Sequence, residues 1–441
     1  MMPANTFSVL LPPRRVLFGL FSFEATLVLY LLAGIFKEDP RFSWIPGDAT
    51  AVFFGLSVLI GGYILLTKPI PKKGLPVIAA MICFIAWFWI SQAWSPSRIY
   101  GPDKVFFMAT LELWALIAAA LIIAPDPERV RRLFTLLLLL SALVGFETII
   151  AYLESGGKFS RIRLQSGGNL TIGRICGLGA LVAITAWLYD RNNPLRVVYL
   201  GTFAVLAFVL AVAGGRGPLL ATAAPLIIPA AFGIRLAQRK FLFSPAKLSV
   251  LLLPFVIFMG LSAYSAATGQ RLGTIDRLQG MVRGGELSGT AAVRAGKYSD
   301  AVQFWSERPL VGHGVGAWPL LTRGQDLPRY PHNIFMELLV EGGLVALILY
   351  GALVLVAFRS LTLDRLRVDP LCVCATMLFF NTFINSLVSS DLAGNRAMFL
   401  VLGLLVIFAY RPVVSAVRAA PRSAADTRGG PLLQPAQRPY S

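Results

Sequence analysis

The run Gly214-Gly215-Arg216-Gly217-Pro218 interrupts two apolar stretches and places a guanidinium at the interruption. Glycine lets a ligand approach the backbone, and proline suits the first turn of a helix, whose leading amides are free. A guanidinium there matches phosphate oxygens bidentately, so Arg216 reads as an anion contact rather than an arginine reaching for lipid headgroups. Further along, Pro331-His332-Asn333 opens another apolar stretch. In a first helical turn the dipole disfavours imidazolium, and a neutral imidazole can act as a general base. The chain has only two histidines, so His332 is a pointed signal, with His313 a second-choice base. His313 sits in Gly312-His313-Gly314-Val315-Gly316, which has no βαβ setting around it, so it is not a dinucleotide fingerprint and reads as a flexible turn.

Carboxylates lie inside the apolar stretches at Glu24, Glu112, Glu147, Glu337 and Glu341. Each is costly in lipid and should face the protein interior. Glu337 and Glu341 are four apart, so they share a helix face, either orienting the site or joining helices. The acids of the polar loops (Asp276, Glu286, Asp300, Glu307, Asp326) form no D-x-D pair, and no His/Cys cluster is present. No metal and no other cofactor is therefore expected; if a diphosphate leaves, arginines must carry its charge. Cys83, Cys176, Cys372 and Cys374 fall in or beside apolar stretches and read as buried structural thiols.

The elements that position these residues are set by composition. The 441 residues are 56% hydrophobic and 14% charged, with mean hydropathy +0.70. That much apolar surface needs a bilayer as its solvent. The net charge of +18 is scattered through short loops, a topology signal rather than a nucleic-acid surface. Twelve spans are predicted, at about 16–36, 50–66, 75–91, 104–124, 133–153, 171–189, 197–213, 217–234, 248–265, 332–357, 370–388 and 396–410. Arg14-Arg15 anchor the first, with no cleaved signal peptide expected. One set of loops is basic throughout, including Lys68, Lys72, Lys73, Arg191, Arg196, Arg235, Lys247, Arg359 and Arg367. This predicts that both termini are cytoplasmic.

The opposite side departs from that pattern. Its short loop at about 154–170 carries Lys158, Arg161 and Arg163, and the long loop at about 266–331 carries eight further cations. Cations placed against the topological preference suggest an anionic ligand or headgroup contact on the outer face. Within the long loop, Ala291, Ala295, Tyr298, Val302 and Trp305 recur at helical spacing, with Arg294, Lys297 and Gln303 off the apolar stripe. That helix should lie in the interface or roof the bundle. The predicted class is thus an all-α polytopic membrane protein with about 12 transmembrane helices and one long periplasmic loop containing an amphipathic helix. Its divisions are nine spans over 1–265, the loop domain over 266–331, three spans over 332–410, and a disordered cytoplasmic tail over 411–441.

From Val293 through Gly343 the motifs follow a recognisable order: an Arg opening the loop helix, a Trp near its end, then P-L-V-G-H-G-V-G, H-N and E-G-G-L. With the upstream Gly215-Arg216-Gly217, this resembles the O-antigen ligase and polymerase superfamily, strongly over roughly residues 200–350. The resemblance implies transfer of a glycan from undecaprenyl diphosphate to a hydroxyl acceptor at the periplasmic face of the Gram-negative inner membrane, without ATP. It implies His332 as the base that deprotonates the acceptor, and Arg216 and Arg294 as diphosphate contacts. The residues themselves add Arg161 and Arg163 as further anion contacts, and Asn333, Glu337 and His313 as supporting groups. Direct displacement would invert the anomeric carbon. Only one outer loop is long, and Arg161 and Arg163 are wrongly spaced from Gly173 for the second loop element of the polymerases, which favours the ligase branch with lipid A–core as acceptor. The short tail argues against a protein O-oligosaccharyltransferase. A lipid or solute transporter would suit twelve spans, but no internal repeat is visible and the Gly-Arg-Gly interruption lies at a span edge.

Overall fold

The computed structural model describes residues 8–35, 40–45, 47–156, 168–237, 240–270, 272–284, 290–389 and 391–411. The tail beyond 411 and the loop bearing Arg161 and Arg163 lie outside them. The chain is an all-α polytopic membrane protein. Among the described residues, eight helices are long and apolar enough to cross a bilayer: Ala49–Thr67, Lys72–Ser91, Tyr100–Ile123, Pro127–Glu154, Asn169–Tyr189, Pro245–Thr268, Ile334–Phe358 and Pro370–Ser389. Shorter apolar helices at Phe23–Leu32, Arg196–Val212 and Arg396–Tyr410 match three more of the predicted spans. The remaining one, the eighth, is broken into Arg216–Ala223, a 3-10 turn and Ile227–Ala231, with Pro225 and Pro229 removing the donors a continuous helix would need. After it comes, among the described residues, a short antiparallel hairpin pairing Ile234 with Phe243 through Ala237 with Lys240. Cys176, Cys372 and Cys374 are buried as expected, whereas Cys83 is exposed on the outside of the third span.

The carboxylates in the spans are handled as the cost of charge in lipid demands. Glu24 is fully buried and receives Arg129 at 2.8 Å and Arg132 at 2.9 Å. Glu147, partly exposed, pairs with Arg41 at 2.5 Å. Glu337 and Glu341 share a face and close on one cation, Lys104 of the fourth span, with all three side chains fully buried. Glu112 is buried with neither oxygen hydrogen-bonded, in a stretch of π-helix at Met108–Glu112.

The tenth span is broken inside the bundle. Gly343 has φ 65° and ψ −164° in the middle of Ile334–Phe358, roughly 14 Å along the helix from its start. A break in lipid frees backbone groups that cost several kcal/mol each if unpaired. Here the 309–316 segment supplies four of the partners. His313 N–H donates to the Val340 carbonyl at 2.8 Å and Gly314 N–H to that of Glu341 at 2.9 Å, while Leu344 and Val345 donate back to Pro309 and Leu310. The Trp87 indole of the third span takes the Gly342 carbonyl at 2.9 Å. The predicted flexible turn is therefore a packed insertion. Ser95 donates to the Val315 carbonyl at 2.6 Å, and Val315 N–H donates to Ser91. A Cβ on Gly343 would sit 2.2 Å from the Leu310 carbonyl oxygen.

The loop helix forms at Thr290–Glu307 as predicted, but rotated. Its buried side holds Ala301 and Phe304 against Val340, Met336 and Trp318, while Val293 and Val302 are 61% and 49% exposed. Arg294 and Lys297 consequently face partly inward rather than lying off the packed stripe. The spacing gave the period correctly; the partner surface on the tenth span chose the phase.

Gly343→Ala should lower the unfolding midpoint of the detergent-solubilised protein by an amount corresponding to about 1–3 kcal/mol, since the substitution strains a left-handed backbone and meets a carbonyl. Gly351→Ala, in the same helix with open space around its Cβ position, should be neutral or stabilising. Equal effects from the two would mean that the break is not the constraint.

Candidate functional site

Close packing at one end of the bundle assembles the site. The sixth span (Asn169–Tyr189) meets the broken eighth span so tightly that a Cβ on Gly173 would lie 2.7 Å from Pro218. That contact brings Arg174 beside the Gly214–Gly217 turn. Gly214 takes φ 87°, a region open to glycine, and its N–H donates to Thr274 of the 273–284 helix at 3.0 Å. Thr274 donates in turn to the Leu210 carbonyl at 2.7 Å, tying the long loop to the turn. Arg216 then opens the 216–223 helix, one position earlier than the predicted span start.

Arg174, Arg216 and Arg294 line a single pocket, with Gly215, Asn385 and Ser389 among its other walls. Arg216 and Arg294 were both predicted contacts, and the structure brings them together from segments far apart in the chain. Arg174 is not among the predicted contacts, although a charge inside an apolar span is a readable signal. Among the described residues, none of Arg174, Arg216, Arg294 and Lys297 makes an ion pair with a carboxylate. The Arg174 Nε is buried without a hydrogen-bond partner. Uncompensated cations at this density are stable only with an anion in their midst or with water to screen them. Burial first, then Arg323, Arg294 and Arg329, pushes the Lys297 ammonium below its ordinary value.

His332 stands next to this cluster, half-buried. It does not lie in the first helical turn as predicted. It precedes the N-cap, Asn333, whose side-chain oxygen accepts from the N–H of Phe335 at 2.9 Å and of Met336 at 3.3 Å. Its φ of 67° is unusual for a residue with a side chain, and its Nδ1 is buried without a partner. The ring packs edge-on against Tyr330 with centroids 4.5 Å apart, and its carbonyl accepts a 3.5 Å hydrogen bond from Tyr298 of the loop helix. Burial, then Lys297, Arg294 and Arg174, hold its pKa down to about 4. The ring is therefore neutral near pH 7, as anticipated, but through burial and neighbouring cations rather than a helix dipole.

The supporting residues divide. Glu337 binds Lys104 and accepts from Leu392 N–H at 3.1 Å, fixing the tenth span to the segment that precedes the twelfth. His313 is outside the cluster: its Nε2 is 2.8 Å from the Phe304 carbonyl, and its ring stands against Phe304. It joins the loop helix to the insertion rather than reaching the pocket. Trp305 does similar work, donating to the Pro309 carbonyl at 3.0 Å. Asp326 of the long loop accepts from the Arg98, Ile99 and Tyr100 amides at 2.7–3.2 Å, capping the start of the fourth span. Among the described residues, no group of three His, Cys, Asp or Glu side chains is placed to hold a metal ion.

Fold and site together define a polytopic membrane protein with an arginine-lined pocket and a neutral histidine at one end of its bundle. Residues 201–351, which contain Arg216, Arg294 and His332 but not Arg174, match the protein family described as O-antigen ligase. The chain is also similar to an O-antigen ligase of Pseudomonas aeruginosa, at 25% identity over 65% of this chain. The match spans about 65% of that relative's length. Both comparisons support the O-antigen ligase superfamily for this chain.

Lys104→Met should destabilise the protein by about 3–5 kcal/mol, because two buried carboxylates lose their cation. Combining it with Glu337→Gln and Glu341→Gln should restore much of the loss, read as thermal unfolding in detergent. A triple variant no better than the single one would show that the charges are not what binds these helices.

Proposed function

We propose that this protein is an inverting glycosyltransferase of the ligase type, moving a glycan from undecaprenyl diphosphate to a hydroxyl of lipid A–core at the periplasmic face of the inner membrane. The observation that carries this reading is the convergence of Arg174, Arg216 and Arg294 on one pocket beside a neutral His332. The family supports a glycosyltransferase-like enzyme, and the motif order supports the ligase branch. The basic loops of the opposite face support cytoplasmic termini, which puts the pocket on the periplasmic side.

In the proposed step the imidazole of His332 takes the proton of the acceptor hydroxyl as that oxygen attacks the anomeric carbon. The bond from that carbon to the diphosphate oxygen breaks, and its electron pair leaves with the polyprenyl diphosphate. The three arginines stabilise the charge that develops there, and attack opposite the leaving group inverts the carbon. Arg161 and Arg163 belong to the same reading as additional anion contacts. A transporter reading is disfavoured by the broken tenth span itself. Its freed backbone groups are taken by the 309–316 segment and Trp87 instead of facing a cavity where they could coordinate an ion.

Purified protein given lipid-linked glycan, lipid A–core and EDTA should yield glycosylated lipid A–core. His332→Ala should reduce the rate by about 10²–10⁴-fold, and Arg174→Ala, which removes a donor to the leaving group, by about 10²–10³-fold. No product from folded wild-type protein, with chain growth from lipid-linked glycan alone, would replace the ligase by a polymerase.

The pH profile has a definite sign. His332 must be neutral to act, so activity is lost as pH falls through its pKa. In the empty site that value is about 4. Bound diphosphate offsets the cations that depress it, so it should rise toward the ordinary histidine range. The acid limb of kcat should therefore lie at higher pH than that of kcat/KM for the donor. Coincident limbs would break the link between the cation cluster and the base.

A further inference from the structure

A second basic site lies at the other end of the bundle. The sixth span runs from Arg174 at the pocket to Tyr189 at the far end, and the seventh returns from Arg196 to the Gly214 turn. At that far end, a cavity of about 830 Å³ is lined by Arg191, Arg196, Lys247 and Arg367, with no carboxylate in its wall. The four cations come from four separate elements, so their meeting is a product of the fold and not of one basic loop. A neighbouring cavity at the same end has Glu128 and Asp190 among its walls and lacks this single-sign character.

Three of the cations are held in place by aromatic faces. The Arg196 guanidinium lies 5.1 Å from the Trp187 ring centre, and its Nε donates to the Trp187 carbonyl at 2.9 Å. Lys247, 7% exposed, has its ammonium 4.7 Å over Tyr189. Arg367 is 5.9 Å from the centre of Phe232. Its ion pair with Asp364, at 3.4 Å, is exposed on both sides and worth little in solvent. Cations fixed in this way have less side-chain freedom left to lose on taking a ligand. The wall also carries apolar side chains, Leu188, Phe232, Phe243 and Val368, and Phe243 is 62% exposed. A cationic hollow edged by side chains of this kind fits an amphiphile with an anionic head and apolar tails.

We propose that this cavity binds the phosphate headgroup of an anionic phospholipid in the leaflet facing the basic loops. The shared chemistry is a phosphate anion, and the apolar side chains select the lipid over a soluble phosphate. Native mass spectrometry of the full chain, exchanged into mixed lipid–detergent micelles, reads the occupancy. Phosphatidylglycerol should be retained in preference to phosphatidylcholine. Arg191→Gln with Arg367→Gln, both at exposed positions, should weaken that preference by about fivefold per charge, the scale of one basic side chain at an anionic surface. Lys68→Gln with Lys72→Gln, which removes two charges from another loop on the same face, should leave it unchanged. Equal retention of the two lipids by wild type, or equal losses in both double variants, would overturn the site. Displacement of the lipid by inorganic phosphate at comparable concentration would overturn the lipid as its occupant.

Discussion

In lipid, a backbone group freed from a helix has no water to turn to, and this constraint organises the end of the bundle that holds the arginine-lined pocket. The tenth span breaks at Gly343, and the 309–316 segment enters the bundle to pair what the break exposes. Once that segment is seated, the helix before it can pack in only one way. Trp305 and His313 bind its end to the insertion, Ala301 and Phe304 meet Val340 and Met336, and Arg294 turns toward the pocket. On the other side of the break, the first turns of the same span carry Asn333 as a cap and His332 just ahead of it. His332 and one of its neighbouring cations, Arg294, are thus placed by a repair of main-chain hydrogen bonding some distance below them.

Charge is treated in opposite ways in the two regions. Deep in the bundle, Lys104 is matched by Glu337 and Glu341, and Glu24 by Arg129 and Arg132, which locks helices together. At the pocket, Arg174, Arg216 and Arg294 converge with no such match. Structural ion pairs would have been available at small cost in sequence. Among the described residues these cations have no carboxylate partner, and Arg174 and Arg294, with Lys297, add to burial in depressing the His332 imidazole. Arg174 and Arg294 thus belong both to the pocket wall and to the set of charges that tunes His332.

Much of the architecture was legible in the sequence because hydrophobic length alone defines a span. All twelve predicted segments have a helical counterpart, and the helices starting at Arg216, Ile334 and Pro370 begin within two residues of the predicted 217, 332 and 370. Arg216 and His332 stood out as candidates, since arginine at a helix start and histidine at a span mouth are conspicuous in so apolar a chain, whereas Arg294 was named as a contact only through the family resemblance. The phase of the 290–307 helix was not. Its apolar residues mark two adjacent stripes, and only the surface of the tenth span decides which is buried.

The sequence by itself determined that this chain lives in a membrane, how many apolar segments it has, and which residue types could handle a phosphate and a proton. Those properties depend on local composition and spacing. Tertiary structure alone decided that Arg174 joins Arg216 and Arg294, that the glycine-rich turn is an insertion, and that His332 is neutral through burial and nearby cations. Electrostatic fields and freed hydrogen-bonding groups act through space, between residues that the chain order keeps tens of positions apart and, for Arg174 and His332, more than a hundred.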